Sequence, residues 1–437
     1  MSVITRTLRW LPLGAASGVL AGLACWAFLE ALTWATNTRL DHGWLVWLLP
    51  VAGLAVGLAY HLLGGRAGEG NSLLLDEIHE PSAWVPRRMA PLVAVGTVVS
   101  QLFGASVGRE GTALQMSGSL TDWLARALGL QHDDRRILLT AALGGGFGAV
   151  FGVPVAGLVF GLEVQRVTWQ RHLPPGTSRP GVWLQLVVAT LTASVMGNAV
   201  VLALGYHHAV MPTVHVDLGF ALLVRAAAVG VACGLLALLF IEATDVFRLL
   251  FRRIRWAPAR PAVGGVIVLG GVALMGRAYL GLSLPLIGNA LAGQHASLAE
   301  PFAKLTFTAL CIGAGYVGGE VTPMFVMGTT IGSALAPALG LDPVVGAAIG
   351  FAAVFGGATN APVACMVMAV ELFGWGITAP VIVTCAVAYA CSGRRGIYTT
   401  QRVAVDGGSV PVHELPGLHL RLIEWLTGLV RGRGAAR

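Results

Sequence analysis

Two acids in glycine frames are the residues of this chain best suited to chemistry. GREGTALQMSG occupies 108–118 and GGEVTPMFVMG occupies 318–328. Both read G-x-E-x-T, and both reach a further glycine at the same distance, Gly118 and Gly328. Glycine permits close backbone approach and unusual φ values, and proline is tolerated in the first turn of a helix. GGEVTP followed by an apolar run therefore reads as a loop that opens a helix. The first N–H groups of a helix lack internal partners and carry a partial positive charge. Aimed at a cavity, such a terminus binds an anion without Arg or Lys. Two termini from two related segments can converge on one site.

Glu110 is the informative acid. A carboxylate at a helix N-terminus can take the anion's own place. Ionised, it blocks the path; protonated, it loses its attraction and swings aside. Anion movement is then linked to proton binding by competition for one positive potential. The competing reading is a structural cap, with Glu110 paired to Arg109 or facing headgroups; the motif alone leaves the two readings level. Glu320 reads as structural, a cap or a partner of Lys304, because Thr322-Pro323 resembles the helix start. Glu163 and Glu371, near the ends of apolar runs, read as interfacial or helix-packing carboxylates.

The elements that must hold these acids belong to a membrane. The chain has 437 residues, 56% hydrophobic and 11% charged, with a mean hydropathy of +0.75. A soluble protein carries roughly 25% charged residues. Runs long enough for a bilayer occur at 10–34, 44–64, 138–163, 182–205, 217–241 and 262–286. Nothing alternates as a barrel strand would, so the spans are helices. The fold class is an all-α polytopic membrane protein. The excess of 28 Lys+Arg over 21 Asp+Glu reads as positive-inside bias rather than nucleic-acid binding. Arg6 and Arg9 ahead of the first span place the N-terminus in the cytoplasm. The six cysteines are scattered through apolar segments with no CxxC pair, so neither a disulfide framework nor a zinc site is indicated. No cofactor or metal is implied.

The chain repeats itself. AALGGGFGAVFGVPVAGLVFGLEV (141–164) and AAIGFAAVFGGATNAPVACMVMAVEL (347–372) share F-G, then P-V-A, then a glutamate at one spacing from the proline. Pro154 stands to Pro362 at nearly the offset of Glu110 to Glu320. An internal repeat of half a membrane protein suggests a transporter, with the site between the halves near the midplane. The repeats are read as 44–205 and 215–391. The segments from 303 to 391 look like broken or partial helices. Beyond 391 the chain turns polar: 392–437 reads as a C-terminal segment and cytoplasmic tail, ending in a short amphipathic helix, with no large soluble domain.

These motifs resemble the CLC family of chloride channels and anion/proton antiporters over roughly residues 50 to 400. GREG at 108–111 looks like the family's gating-glutamate motif, and the two P-V-A segments look like its paired helices. The resemblance implies the CLC-type fold of two inverted-topology repeats with tilted and broken helices, and a homodimer with one pore per subunit. It implies a multi-pass protein of the bacterial inner membrane without CBS domains. Three departures stand out. The family's G-S-G-I-P loop is absent near GEGNSLLLDEIHEP (68–81), where Asn71, or Glu69 in another register, takes the serine's place. Val164 stands where chloride/proton exchangers carry an inner proton glutamate. GGEVTP replaces G-G-x-F-x-P. All three are similar to the fluoride-exporting branch, which implies proton-driven fluoride export. In that reading Glu110 is the gate and proton carrier. Gly111, Val321 and Thr322 belong to the filter segments, and Tyr398 in the pore-facing GIYTTQ points its hydroxyl at the central anion. Asn71, Thr322 and Tyr398 carry the donors that a small, strongly hydrated anion needs.

Three rival readings have sequence support. A passive fluoride or chloride channel would also lack the inner glutamate. A chloride/proton exchanger is disfavoured by Val164 and the altered loop. GASVG at 104–108 formally matches G-x-S-x-G, with Ser106 as the nucleophile of an intramembrane hydrolase, but the strand–turn–helix context of that elbow is missing.

Overall fold

The computed structural model describes residues 7–130, 132–165, 179–405 and 408–415. The chain forms helices α1 (Trp10–Asp41), α2 (Leu49–Leu63), α3 (Asn71–His79), α4 (Met89–Leu102), α5 (Glu110–Ala127), α6 (His132–Phe151), α7 (Pro154–Glu163) and α8 (Arg179–Ala203). It continues with α9 (Phe220–Arg252), α10 (Ala259–Met275), α11 (Leu284–Leu291), α12 (Ala299–Ala314), α13 (Val321–Leu335), α14 (Pro343–Phe351), α15 (Ala353–Thr359), α16 (Pro362–Phe373) and α17 (Thr378–Ser392). A small hairpin, β1 (Arg402–Val405) with β2 (Gly408–Pro411), follows. The C-terminal amphipathic helix read above lies outside the described residues.

Among the described residues, five segments are long and apolar enough to cross a membrane: Trp10–Asp41, Gly43–Leu63, Pro180–Ala203, Phe220–Arg252 and Trp375–Ser392. Several others are too short. A 15-residue helix such as α13 is about 22 Å long, less than the hydrocarbon thickness. Such half-helices are tolerated where their ends are buried in protein. The run 138–163, read above as one span, is two helices. Gly152 adopts φ 74° and Val153 precedes Pro154, so the proline can open a helix but not continue one. The counterpart break places Asn360 at φ 54° ahead of Ala361 and Pro362. The run 262–286 likewise ends at Met275, and a separate short helix follows.

Small residues let the long helices touch. A Cβ on Gly14, Gly18 or Gly22 of α1 would lie 2.6, 2.4 or 2.6 Å from the carbonyl oxygens of Ala189, Ala193 or Gly197 on α8. A Cβ on Gly230 or Gly234 of α9 would lie 2.7 or 2.5 Å from the carbonyl oxygens of Thr384 or Ala388 on α17. Without a hydrophobic drive between helices in lipid, such backbone approach supplies the attraction. The pair α1–α8 is thus built as α9–α17 is. Between the halves sits an aromatic cluster: Phe147 stacks on Phe160 at 4.3 Å and faces Phe355 at 6.2 Å, and Phe325 stacks on Phe351 at 4.4 Å.

Candidate anion pathway

The two glycine-framed motifs lie against each other. Gly319 N–H donates to Gly108 O at 2.9 Å, and Gly108 N–H donates to Gly319 O, forming an antiparallel bridge. The approach demands glycine. A Cβ on Gly108 would lie 2.9 Å from Gly319 O, and one on Gly319 would lie 2.7 Å from Gly111 N. Antiparallel contact between equivalent motifs is what a two-fold relation between the halves produces.

Glu110 is the first residue of α5, fully buried, and its carboxylate reaches across to α13. Oε2 accepts from Thr322 N–H at 3.1 Å, and Oε1 accepts from the Thr322 hydroxyl. Thr322 is the second residue of α13, so one of the unpaired donors at that helix end is satisfied by a carboxylate from the other half. Oε2 also accepts from Arg109 N–H at 3.0 Å, and Arg109 Nε lies 3.7 Å from Oε1. Both readings of Glu110 therefore meet in one geometry: it touches Arg109, and it fills the positive end of the partner motif's helix.

Past the bridge lies a cavity of about 550 Å³ whose wall includes Asn71, Gln115, Glu320 and Tyr398. Asn71 opens α3, and its Nδ2 is 3.0 Å from where a Gly111 Cβ would sit. Glu69 is an exposed residue of the same wall, and Asn71 is the side chain beside Gly111. Asn71 Oδ1 and the Tyr398 hydroxyl are buried side-chain atoms without a hydrogen-bond partner among the described residues. A buried hydroxyl normally finds one, and here both groups border the cavity. Val321 is buried with Met324 and Phe325 in the main apolar core. Its side chain is packing, and its backbone is what it can offer an ion.

The surroundings fix these positions. Arg135 on α6 bonds Glu77 of α3 at 3.0 Å and Asp122 of α5 at 2.5 Å, and Arg66 reaches Glu77 at 2.8 Å. This anchors the helix that carries Asn71. The segment after α17 is tied to it: Ser72 Oγ lies 3.0 Å from Thr399 Oγ1, and Thr400 Oγ1 donates to Ser72 O at 3.0 Å. Those bonds set Tyr398 beside Asn71. Gln401 Nε2 donates to Val164 O and Thr359 O, at 3.1 and 3.0 Å, joining the same segment to both halves.

Two sequence readings are corrected. Lys304 does not pair with Glu320. Its Nζ, fully buried, donates to Ser106 Oγ, Gly281 O, Ser283 Oγ and Tyr279 O at 2.7 to 3.2 Å. Glu320 makes no side-chain cap on α13 and lines the cavity instead. Sequence reasoning set it aside because an acid at a helix start has a ready structural role. The signal that could have weighed against this was its equivalence to Glu110 within the repeat.

Half-length helices in two related sets, with a helix N-terminus buried at their meeting point and a carboxylate held on it, define a membrane anion-transport protein. The family model described as voltage gated chloride channel matches residues 52–393, and the chain belongs to this CLC family of anion channels and anion/proton transporters. It is 44% identical over 422 residues to the chloride/fluoride channel protein of Pseudomonas syringae pv. tomato, covering 95% of this chain and 91% of that one. It is 26% identical to the H(+)/Cl(-) exchange transporter ClcA of Klebsiella pneumoniae, covering 90% and 88%. Among solved structures, a CLC-type fluoride/proton antiporter superimposes with a TM-score of 0.82 at 30% identity, covering 90% of this chain and 98% of that one. The relatives are named as channels and exchangers, not enzymes. Ser106 is fully buried, and the Lys304 nitrogen beside it donates to oxygen acceptors.

Proposed function

We propose that this protein is a proton-coupled fluoride antiporter that exports F⁻ in exchange for H⁺, with Glu110 as gate and proton carrier. The observation that carries the reading is the Glu110 carboxylate held by Thr322 N–H and Oγ1 at the start of α13. A carboxylate and a halide compete for those donors. Protonation weakens the carboxylate's claim and frees the place for the ion. Anion and proton then occupy the same crossing in turn.

Fluoride is favoured over chloride by the donors. A small ion with tightly held water needs close replacements for it. Thr322, Asn71 and Tyr398, with the N–H of Gly111 and Val321, supply hydroxyl, amide and backbone groups around one route. Val164 occupies the place of an inner proton acid, and Glu320 provides a carboxylate on the cavity wall instead. The name of the fluoride/proton antiporter structure points the same way, and that of the Pseudomonas syringae relative includes fluoride beside chloride.

The protein is read as a homodimer in a bacterial inner membrane with a cytoplasmic N-terminus, its repeats approximating 44–205 and 215–391. Exposed Val155 on α7 lies against the exposed Glu371 near the end of α16, and Val363 at the start of α16 is exposed too. A surface carboxylate among short apolar helices suits a second copy better than lipid tails.

Reconstitution into liposomes tests the function. An outward fluoride gradient drives proton uptake against no other force, and an equal chloride gradient drives less. Glu110→Gln abolishes the proton movement. Fluoride flux with no coupled protons in the unaltered protein would establish a passive channel, and chloride-driven proton uptake equal to that of fluoride would establish a chloride exchanger.

A further inference from the structure

A second cavity, of about 410 Å³, lies between α1 and the stretch 277–289 leading into α11. Arg39, Arg109 and Arg277 line it, and no Asp or Glu does. Its remaining wall is largely apolar, including Leu32, Leu40 and Leu284. Arg39 is 8% exposed. Its Nε donates to Gln101 O at 3.1 Å, and among the described residues it makes no ion pair with a carboxylate. A buried guanidinium without a counter-charge is costly, and here the basic groups share one space.

The depth of the cavity identifies what supplies that charge. Arg39 lies in the last turn of the long span α1. Trp44 and Trp47, exposed on the next turns, mark the level at which aromatic side chains meet headgroups. Leu40 and Leu284, 68% and 44% exposed, line the cavity where it meets the protein surface. A ligand that fits all of this is anionic at one end and apolar at the other. A free anion would leave the leucine wall without a role.

We propose that this cavity is a binding site for an anionic membrane phospholipid, with the phosphate between Arg39, Arg109 and Arg277 and an acyl chain along Leu40 and Leu284. Phosphate oxygens match the planar fork of arginine. The site abuts the gate, because the same Arg109 stands 3.7 Å from Glu110. Occupancy therefore moves positive charge away from the Glu110 carboxylate and changes the transport rate. That last consequence rests on the gate reading; the binding itself does not.

Native mass spectrometry of the delipidated full-length protein, titrated with phosphatidylglycerol or phosphatidylcholine, tests the binding. Phosphatidylglycerol is retained in preference. Arg277→Glu lowers its apparent affinity roughly tenfold or more, the loss of a charge-assisted hydrogen bond. Arg277 is exposed and bonds Gly43 O alone among the described residues, and Leu284→Glu gives a second variant at a different wall. Arg255→Glu, at an exposed arginine outside this cavity, leaves the affinity unchanged. Equal retention of the two lipids, or wild-type affinity in both cavity variants, overturns the proposal. Complete displacement of the lipid by inorganic phosphate overturns it in favour of a soluble anion.

Discussion

Glu163 and Glu371 cap each other's partner helices. Glu163, at the end of α7, accepts from the N–H groups of Val363 and Ala364 at 3.1 and 2.7 Å, in the first turn of α16. Glu371, at the end of α16, accepts from Val155 and Ala156 at 3.0 and 2.7 Å, in the first turn of α7. Each half thus supplies the cap that the other half's proline-opened helix needs. The exchange is the same contact made twice.

Because the contact is doubled, its removal is also predictable in two parts. Glu163→Gln and Glu371→Gln each trade a charged acceptor for a neutral one and cost about 1 kcal/mol, with the loss smaller at the exposed Glu371. The double variant costs about the sum. Thermal melting in detergent reads the effect as a drop of a few degrees per substitution. The ratio of fluoride to chloride flux stays as it was, since neither carboxylate touches the cavity.

Tyr398 separates binding from stability. Its hydroxyl has no protein partner among the described residues, so Tyr398→Phe strands no donor or acceptor and leaves the melting temperature within error. The fluoride route loses one hydroxyl donor. A net hydrogen bond of about 1 kcal/mol corresponds to roughly a fivefold loss of affinity. Concentration dependence of fluoride flux measures it. An unchanged half-saturation concentration would remove Tyr398 from the ion's path.

Lys304 holds the approach to the first motif. Its ammonium ties Ser106, four residues ahead of Glu110, to the 279–283 turn at Gly281 O and Ser283 Oγ. Lys304→Met leaves those oxygens unmet and destabilises by roughly 2–4 kcal/mol. Lys304→Arg restores the charge but not the stability, because a planar fork cannot replace a tetrahedral set of donors. Ser106→Ala costs less, about 1 kcal/mol, and retains fluoride flux. Loss of flux with intact folding would reopen the hydrolytic reading of Ser106.

Much of this architecture was legible because the repeat is written in residues with narrow physical uses. Glycine frames, X-Pro breaks and glutamates at fixed spacing fall on the bridge, the half-helix starts and the exchanged caps. Asn71 and Tyr398 were singled out by resemblance, and no local pattern would have joined them: they are brought together through Ser72 and Thr399, far apart in sequence. Hydropathy merged α6 with α7 and α10 with the segment after it, because a chain break inside a protein core costs no hydrophobicity. Glu163 and Glu371 were read as interfacial or helix-packing carboxylates but not as exchanged caps, since a cap needs the partner helix in view. Lys304 was misassigned for the opposite reason. Charge complementarity suggested Glu320, whereas neutral oxygens from two separate stretches accept from its nitrogen.

His208 gives the fold a pH dependence of known sign. It lies in the connection 204–219, outside the spans, with its ring over Gly152, edge-on to Tyr206 at 5.4 Å. Burial first, then the charges of Arg109 and His207, hold its pKa below the ordinary 6.5, at about 4. Above pH 6.5 the residue is neutral in both folded and unfolded chains and contributes no slope. Between 6.5 and 4 the unfolded chain binds a proton that the folded chain refuses, so stability falls as the pH falls. Below 4 both forms are protonated and the penalty is constant. Melting temperatures across this window therefore decline more steeply in the wild type than in His208→Gln, which cannot titrate. Parallel declines in the two proteins would show that His208 takes up its proton freely in the folded state.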